Sequence, residues 1–289
     1  MIRYLPTIHS NQDGYERLAE LFKETASLRA DRLELNFSRV SFFDANMAAP
    51  LGVVLARVAD RFNAIEIVNV PEPIERVLRK NDFLAHYRYP PMDDVNRTTI
   101  PYLRLQRSGG GLLGDYLQQH LRGKGIPRMS EGLGKVFKKK IFEVFQNAVI
   151  HSESEPGIFV CGQFFPQKQK LDLTIADAGI GIRETVRRYH GTKFSSIDAI
   201  RWALQEGHTT KKGAQPGGLG LKLLHDFVNL NQGRIQIASR FGYYEFSAGQ
   251  DSFTKMAEDY PGTVVTIEVN TADTFACRLA SEVPLDDIF

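Results

Sequence analysis

The feature that most constrains this chain is an ordered set of four short motifs between Glu143 and Thr263. They read Glu143-x-x-x-Asn147-x-x-x-His151, Asp177-Ala178-Gly179-Ile180-Gly181-Ile182, Gly217-Gly218-Leu219-Gly220-Leu221 and Gly262-Thr263. No one motif decides the fold; their order and spacing do. Glu143, Asn147 and His151 are four residues apart, so on a helix they share one face. A carboxylate there can orient water or accept a proton, and an Asn carbonyl oxygen is a hard ligand suited to Mg²⁺. A polar stripe on a solvated helix has the same spacing.

The segment Leu171-Asp172-Leu173-Thr174-Ile175-Ala176 alternates apolar and polar residues and reads as a strand that runs into Asp177. A carboxylate at a strand end can accept a hydrogen bond from an exocyclic amine such as that of adenine. Gly179 and Gly181 let the backbone approach a ligand closely, although Asp and Gly also make ordinary turns. Gly217, Gly218 and Gly220 precede the apolar segment Leu221–Val228, which reads as a buried helix. Glycines ahead of a helix leave its first N–H groups free for an anion. No Gly-x-x-x-x-Gly-Lys-Ser/Thr occurs, which excludes a P-loop.

In these motifs, residues from about 112 to 270 resemble the GHKL ATPase superfamily, which groups gyrase-type ATPases, Hsp90 and histidine kinases with the anti-sigma-factor kinases. The resemblance implies ATP and Mg²⁺ as cofactors. It makes Glu143 the general base and Asn147 the Mg²⁺ ligand. Asp177 would bind the adenine amine, directly and through water shared with Thr263. Gly179 and Gly181 would line the base, and Gly218, Leu219, Gly220 and Leu221 would offer the phosphates backbone N–H groups. Residues from about 183 to 216 would form a mobile ATP lid, with Lys211 and Lys212 at its end, near phosphate or simply solvated. Pro216 stands where histidine kinases usually have a glycine, so a lid geometry different from theirs is expected.

The first third alternates helix and strand. Helices are expected over about 12–28, 44–62 and 74–84, and strands over 33–37 and 64–68. Met47, Leu51, Val54, Leu55 and Val58 form the apolar face of the middle helix. Leu33-Glu34-Leu35-Asn36-Phe37-Ser38-Arg39-Val40-Ser41-Phe42-Phe43-Asp44 resembles a STAS domain, the fold of anti-sigma-factor antagonists. In phosphorylatable members a Ser follows that Asp. Here Ala45 has no hydroxyl, so the domain is not expected to be the regulated phosphoacceptor, although Ser41 lies nearby.

The expected fold class is α/β: an N-terminal STAS-like α/β domain over 1–90, a linker over 91–111, a GHKL (Bergerat) ATP-binding α/β sandwich over 112–272 and a tail over 273–289. Pro90-Pro91, Pro101 and Gly109-Gly110-Gly111 mark the connection. The sandwich is expected to be a mixed sheet, with strands near 157–165, 169–176, 233–239 and 263–269 and helices on one face. A length of 289 residues accommodates two domains. The net charge of +2 does not indicate nucleic-acid binding, and Lys138-Lys139-Lys140 reads as a solvated helix face. Cys161 and Cys277 lack metal-like spacing and fit a reducing cytosol. No long apolar stretch and no N-terminal signal pattern occur, so a cytoplasmic protein without membrane contact is expected. The expected function is an ATPase or an anti-sigma-type serine/threonine kinase in regulatory signalling. The alternative is an ATP-gated interaction switch with little or no turnover. The expected partner is a protein, engaged through the STAS-like domain, or a second copy in a homodimer. A sensor histidine kinase is disfavoured, because His120 lacks an acidic neighbour and a long helical hairpin around it.

Overall fold

The computed structural model describes residues 1–106, 110–121, 123–124, 141, 144, 152–191, 193–205, 208 and 220–272. Near the N-terminus, β1 (Ile2–Tyr4), β2 (Arg32–Asn36) and β3 (Ala64–Val68) form a parallel sheet in the order β1-β2-β3. Helices α1 (Gln12–Glu24) and α2 (Ala48–Ala59) are the crossovers, as parallel pairing requires. Asn11 caps α1 by accepting from Gly14 N at 2.9 Å, and the helix stops at Thr25, short of the expected residue 28. A 3₁₀ turn, Ala45–Met47, leads into α2, and Pro50 lies in its first turn, where a missing N–H costs nothing. The third helix, α3 (Glu72–Lys80), begins and ends earlier than expected.

Every residue of α2 from Ala48 to Ala56 is buried, so only its last turn, at Arg57 and Ala59, reaches solvent, unlike the amphipathic helix expected. The reason is the second sheet. Strands β4 (Thr99–Leu105), β5 (Ile158–Phe165), β6 (Lys170–Asp177), β7 (Arg234–Ser247) and β8 (Gln250–Asn270) pair in the order β4-β5-β6-β8-β7. All these pairings are antiparallel, not mixed. One face of the sheet, with Phe159, Cys161, Ala176, Ala238 and Val264, shares a core with Leu33, Leu35 and the residues of α1 and α2. The opposite face, with Val160, Leu173, Ile175, Ile237, Val265 and Ile267, packs on Leu113 and Leu117 of α4 (Gly110–Leu121), on Ile141 and Val144, and on Phe227 and Val228 of α7 (Gly220–Leu230). The antiparallel sheet is therefore covered on both faces, not one.

Hydrogen bonds cross the shared core. Tyr15 Oη lies 2.7 Å from Thr266 Oγ1, which lies 2.7 Å from Thr174 Oγ1. Asn46 donates to Thr174 at 2.9 Å and to Ser10 at 3.0 Å, and Ser10 donates to Gln236 at 3.2 Å. Lys23 of α1 pairs with Glu258 of β8 at 2.6 Å.

Two segments differ from expectation. Residues 99–105, read as connection, form the edge strand β4, and Gly110 and Gly111 open a helix. Pro101 is tolerated because an edge strand need not donate on its outer side. The ladder slips between Ile100 and Leu103, and Tyr102 N donates to Asn81 O instead. Strand β7 bends sharply at Arg240, where its ladder with β8 shifts register on either side of that residue. Gln236 donates to Tyr243 Oη and to Glu245, both at 2.9 Å, whereas a straight strand would put residues 236 and 243 roughly 23 Å apart. Arg240 has φ of 54°, the left-handed backbone of a bulge within the ladder, and the hairpin into β8 turns only at Ala248–Gly249. Among the described residues no helix is long and apolar enough to cross a membrane.

Candidate functional site

On the face of the antiparallel sheet away from α1 and α2, side chains of β6, β8 and β7 align in register. Leu173, Ile267 and Ile235 form one row across the three strands, and Ile175, Val265 and Ile237 the next. The following row is Asp177, Thr263 and Ser239. An otherwise apolar face thus ends in three adjacent polar groups. Asp177 is 3% exposed and Ser239 is 1% exposed, while Thr263 is partly exposed.

Burial lifts the Asp177 carboxyl from 3.8 to about 7, and the backbone amides of Gly179 and Thr263 draw it partly back. Gly179 N donates to Asp177 Oδ1 at 2.9 Å. A Cβ at Gly179 would collide with the carbonyl of Ser152, so only glycine fits that approach. Gly181 has φ of 79°, and a Cβ there would meet the Arg240 stem. Helix α5 (Gly181–His190) starts at that turn.

A serine pair braces the loop from the other side. Ser154 Oγ accepts from Ala178 N at 3.1 Å and donates to Gly157 O at 2.7 Å. Ser152 O accepts from Ile180 N at 2.8 Å, and Ser152 Oγ accepts from Ser154 N at 3.1 Å. Ser152 follows His151 directly and Ser154 lies three residues after it, but nothing in that spacing marks either hydroxyl as part of the site. Ser239 had no signal either, because strand register alone brings it beside Thr263. Its Oγ accepts from Ile182 N at 3.0 Å and donates to Gly262 O at 3.0 Å, and it lies 3.1 Å from Thr263 Oγ1.

The structure thus brings together Asp177, Gly179, Gly181 and Thr263 of the expected site. The backbone of Gly220 and Leu221 opens α7, as expected of a glycine-rich motif ahead of a helix. Glu143, Asn147, His151, Lys211, Lys212, Gly217, Gly218 and Leu219 lie outside the described residues, as do Lys138, Lys139, Lys140, Cys277 and the tail. Of the segment expected as a lid, the first part is packed structure. Helices α5 and α6 (Ser196–Leu204) bury Val186, Ala199 and Ile200, and Phe241 N donates to Ser196 Oγ at 3.3 Å. A lid is therefore confined to the residues after Leu204, nearly all outside the described set.

The chemistry of the row fits a purine carrying an exocyclic amine. A buried carboxylate can accept from an amine, a partly exposed hydroxyl stands beside it, and glycine backbone leaves room for a flat ring. Among the described residues no group of three or more His, Cys, Asp or Glu converges as a metal site, so the Mg²⁺ expectation rests on Asn147 and on the nucleotide's own phosphates.

Residues 134–273 match the family described as histidine kinase-, DNA gyrase B-, and HSP90-like ATPase. The match takes in all four motifs, so this part of the chain is similar to a GHKL-type ATPase domain. Residues 1–133 lie outside the match. No curated protein matches the chain.

Proposed function

We propose that the GHKL-type domain binds Mg·ATP and uses it as an ATPase or as a serine/threonine protein kinase in regulatory signalling. The observation carrying this reading is the registered pair of Asp177 and Thr263 beside the Gly179–Gly181 loop. Asp177 accepts from the adenine amine, and Thr263 joins it through its hydroxyl and a shared water. The amides of Gly218, Leu219, Gly220 and Leu221 hold phosphate oxygens, with Lys211 and Lys212 as nearby cations. Asn147 would hold Mg²⁺, which when bound would neutralise phosphate charge. Glu143 takes the proton of the attacking water or of a protein hydroxyl.

The test measures Mg·ATP binding and release of labelled γ-phosphate by the full chain, with Glu143→Ala and Asn147→Ala beside it. Glu143→Ala is expected to bind ATP but lose release by about 10²-fold or more. Asn147→Ala is expected to lose Mg²⁺-dependent binding. Equal release by Glu143→Ala and the parent would remove Glu143 from the chemistry, and unchanged affinity in Asn147→Ala would refute the metal role.

A second reading, an ATP-gated protein switch, is favoured by one contact. Tyr260 Oη donates to Pro50 O in α2 at 3.0 Å, three residues from Thr263. This bond ties the nucleotide strand to the N-terminal layer, the STAS-like element that would engage a protein partner or a second copy of the chain. Binding without phosphate release, together with ATP-dependent partner capture that survives Glu143→Ala, would select this reading.

A further inference from the structure

We propose that Ser239 fixes the Thr263 hydroxyl as a hydrogen-bond acceptor toward the pocket, so that the site selects a 6-amino purine nucleotide over a 6-oxo one. The inference rests on the reading that this row receives the base. It follows from counting protons. Ser239 Oγ has three neighbours: Ile182 N at 3.0 Å, Gly262 O at 3.0 Å and Thr263 Oγ1 at 3.1 Å. The amide of Ile182 can only donate, and the carbonyl of Gly262 can only accept. All three contacts can be hydrogen bonds at once only if the single hydroxyl proton of Ser239 goes to Gly262 O and Thr263 donates the third, which is the arrangement this inference assigns.

At 1% exposure Ser239 has no water to relieve it of this role. With its proton turned toward Ser239, the partly exposed Thr263 hydroxyl offers the pocket only lone pairs. Its registered neighbour across the ladder, Asp177, offers only acceptor oxygens when ionised. Two adjacent acceptors match the two N–H groups of one exocyclic amine, taken directly or through water. A 6-oxo purine would set a third acceptor where the amine stands and offer at most its N1–H to these two groups, leaving acceptors facing each other, which a closed polar site disfavours.

Ser239 is thus a positioning residue acting through Thr263. The experiment measures equilibrium binding of ATP and of ITP, with Mg²⁺, to the full chain and to Ser239→Ala, Ser239→Thr and Thr263→Ala, with thermal melting alongside. The parent is expected to prefer ATP. Ser239→Ala frees the Thr263 proton to face the pocket, so the ATP:ITP ratio should fall by about tenfold. Ser239→Thr keeps a hydroxyl and should keep the ratio. In a Thr263→Ala background, Ser239→Ala should not change the ratio further.

An unchanged ratio in folded Ser239→Ala would overturn the inference. So would equal weakening of both nucleotides, or an effect that adds to that of Thr263→Ala. If Ser239→Ala does not fold, Ser239→Cys, a weaker donor of similar size, should lower the ratio in the same direction, and a ratio equal to the parent's would overturn the inference. A parent that binds neither nucleotide would overturn the base-site reading itself and this inference with it. A parent that prefers ATP, with Ser239 variants that do the same, would sink only the role of Ser239.

Discussion

Asp177 carries a conflict between stability and binding. Its carboxyl is buried, so the folded protein holds the proton up to about pH 7, whereas the unfolded chain releases it near 3.8. Between those values the folded state binds the extra proton. Stability therefore falls as pH rises through this window and levels off above it. Asp177→Asn should be more stable than the parent at pH 8 by about 2 kcal/mol, roughly half of what the full shift implies. The gain should vanish near pH 4, and melts at both pH values would check it. A variant no more stable than the parent at pH 8 would contradict the burial argument. The same carboxylate must be ionised to accept from an amine, so ATP affinity should rise as pH rises through about 7, and Asp177→Asn should lose it. The position of Asp177 was legible because an alternating strand ends in it. Ser239, Ser152 and Ser154 were not, since serine near a strand end or turn is common and only pairing shows what its hydroxyl meets.

Among the elements, α2 is the most tightly enclosed, and its composition already carried the sign. Ala48-Ala49-Pro50-Leu51-Gly52-Val53-Val54-Leu55-Ala56 is apolar on all sides, the pattern of a helix without a solvent face. Gly52 is where α2 meets the edge strand, since a Cβ there would collide with the Tyr102 ring and hydroxyl. Gly52→Val should destabilise the protein by about 2–3 kcal/mol through overpacking, read as a lower denaturant midpoint at unchanged slope; a shift below 0.5 kcal/mol, on the order of a surface substitution, would show that α2 and β4 can separate freely. On α6, Ser195 Oγ accepts from Asp198 N at 3.0 Å as an N-cap. Ser195→Ala should cost about 1 kcal/mol, and amides in α6 should resist hydrogen exchange as packed structure does. Exchange at the rate of an open loop would restore this segment to the lid. Strand β4 went unread because Pro101 interrupts it, and proline is compatible with an edge strand but not with a central one.

At the scale of the molecule, the two sequence units share one core. Phe159, Cys161, Ala176, Ala238 and Val264 are each at most 1% exposed because α1 and α2 cover them, and the polar chain through Tyr15, Thr266, Thr174 and Asn46 closes the same interface. A fragment starting at residue 91 would expose that face as a contiguous apolar patch. It should aggregate or unfold with low cooperativity, whereas the intact chain should melt in one transition. Light scattering and calorimetry of both would check this. A soluble fragment with its own sharp transition would show that the sheet does not need its N-terminal cover.

Local patterns determined what is local: the alternation that makes β6, the cap and apolar run that make α1 and α2, and a match over residues 134–273 carried by motifs that need fixed neighbours in the chain. Tertiary structure decided which surfaces face each other. The burial of the back of the sheet, the bend of β7 at Arg240 and the alignment of Asp177 with Thr263 and Ser239 depend on pairings between residues far apart in sequence. Those pairings are chosen by burying apolar area and satisfying polar groups over the whole molecule at once. No single segment carries enough of either term to reveal them.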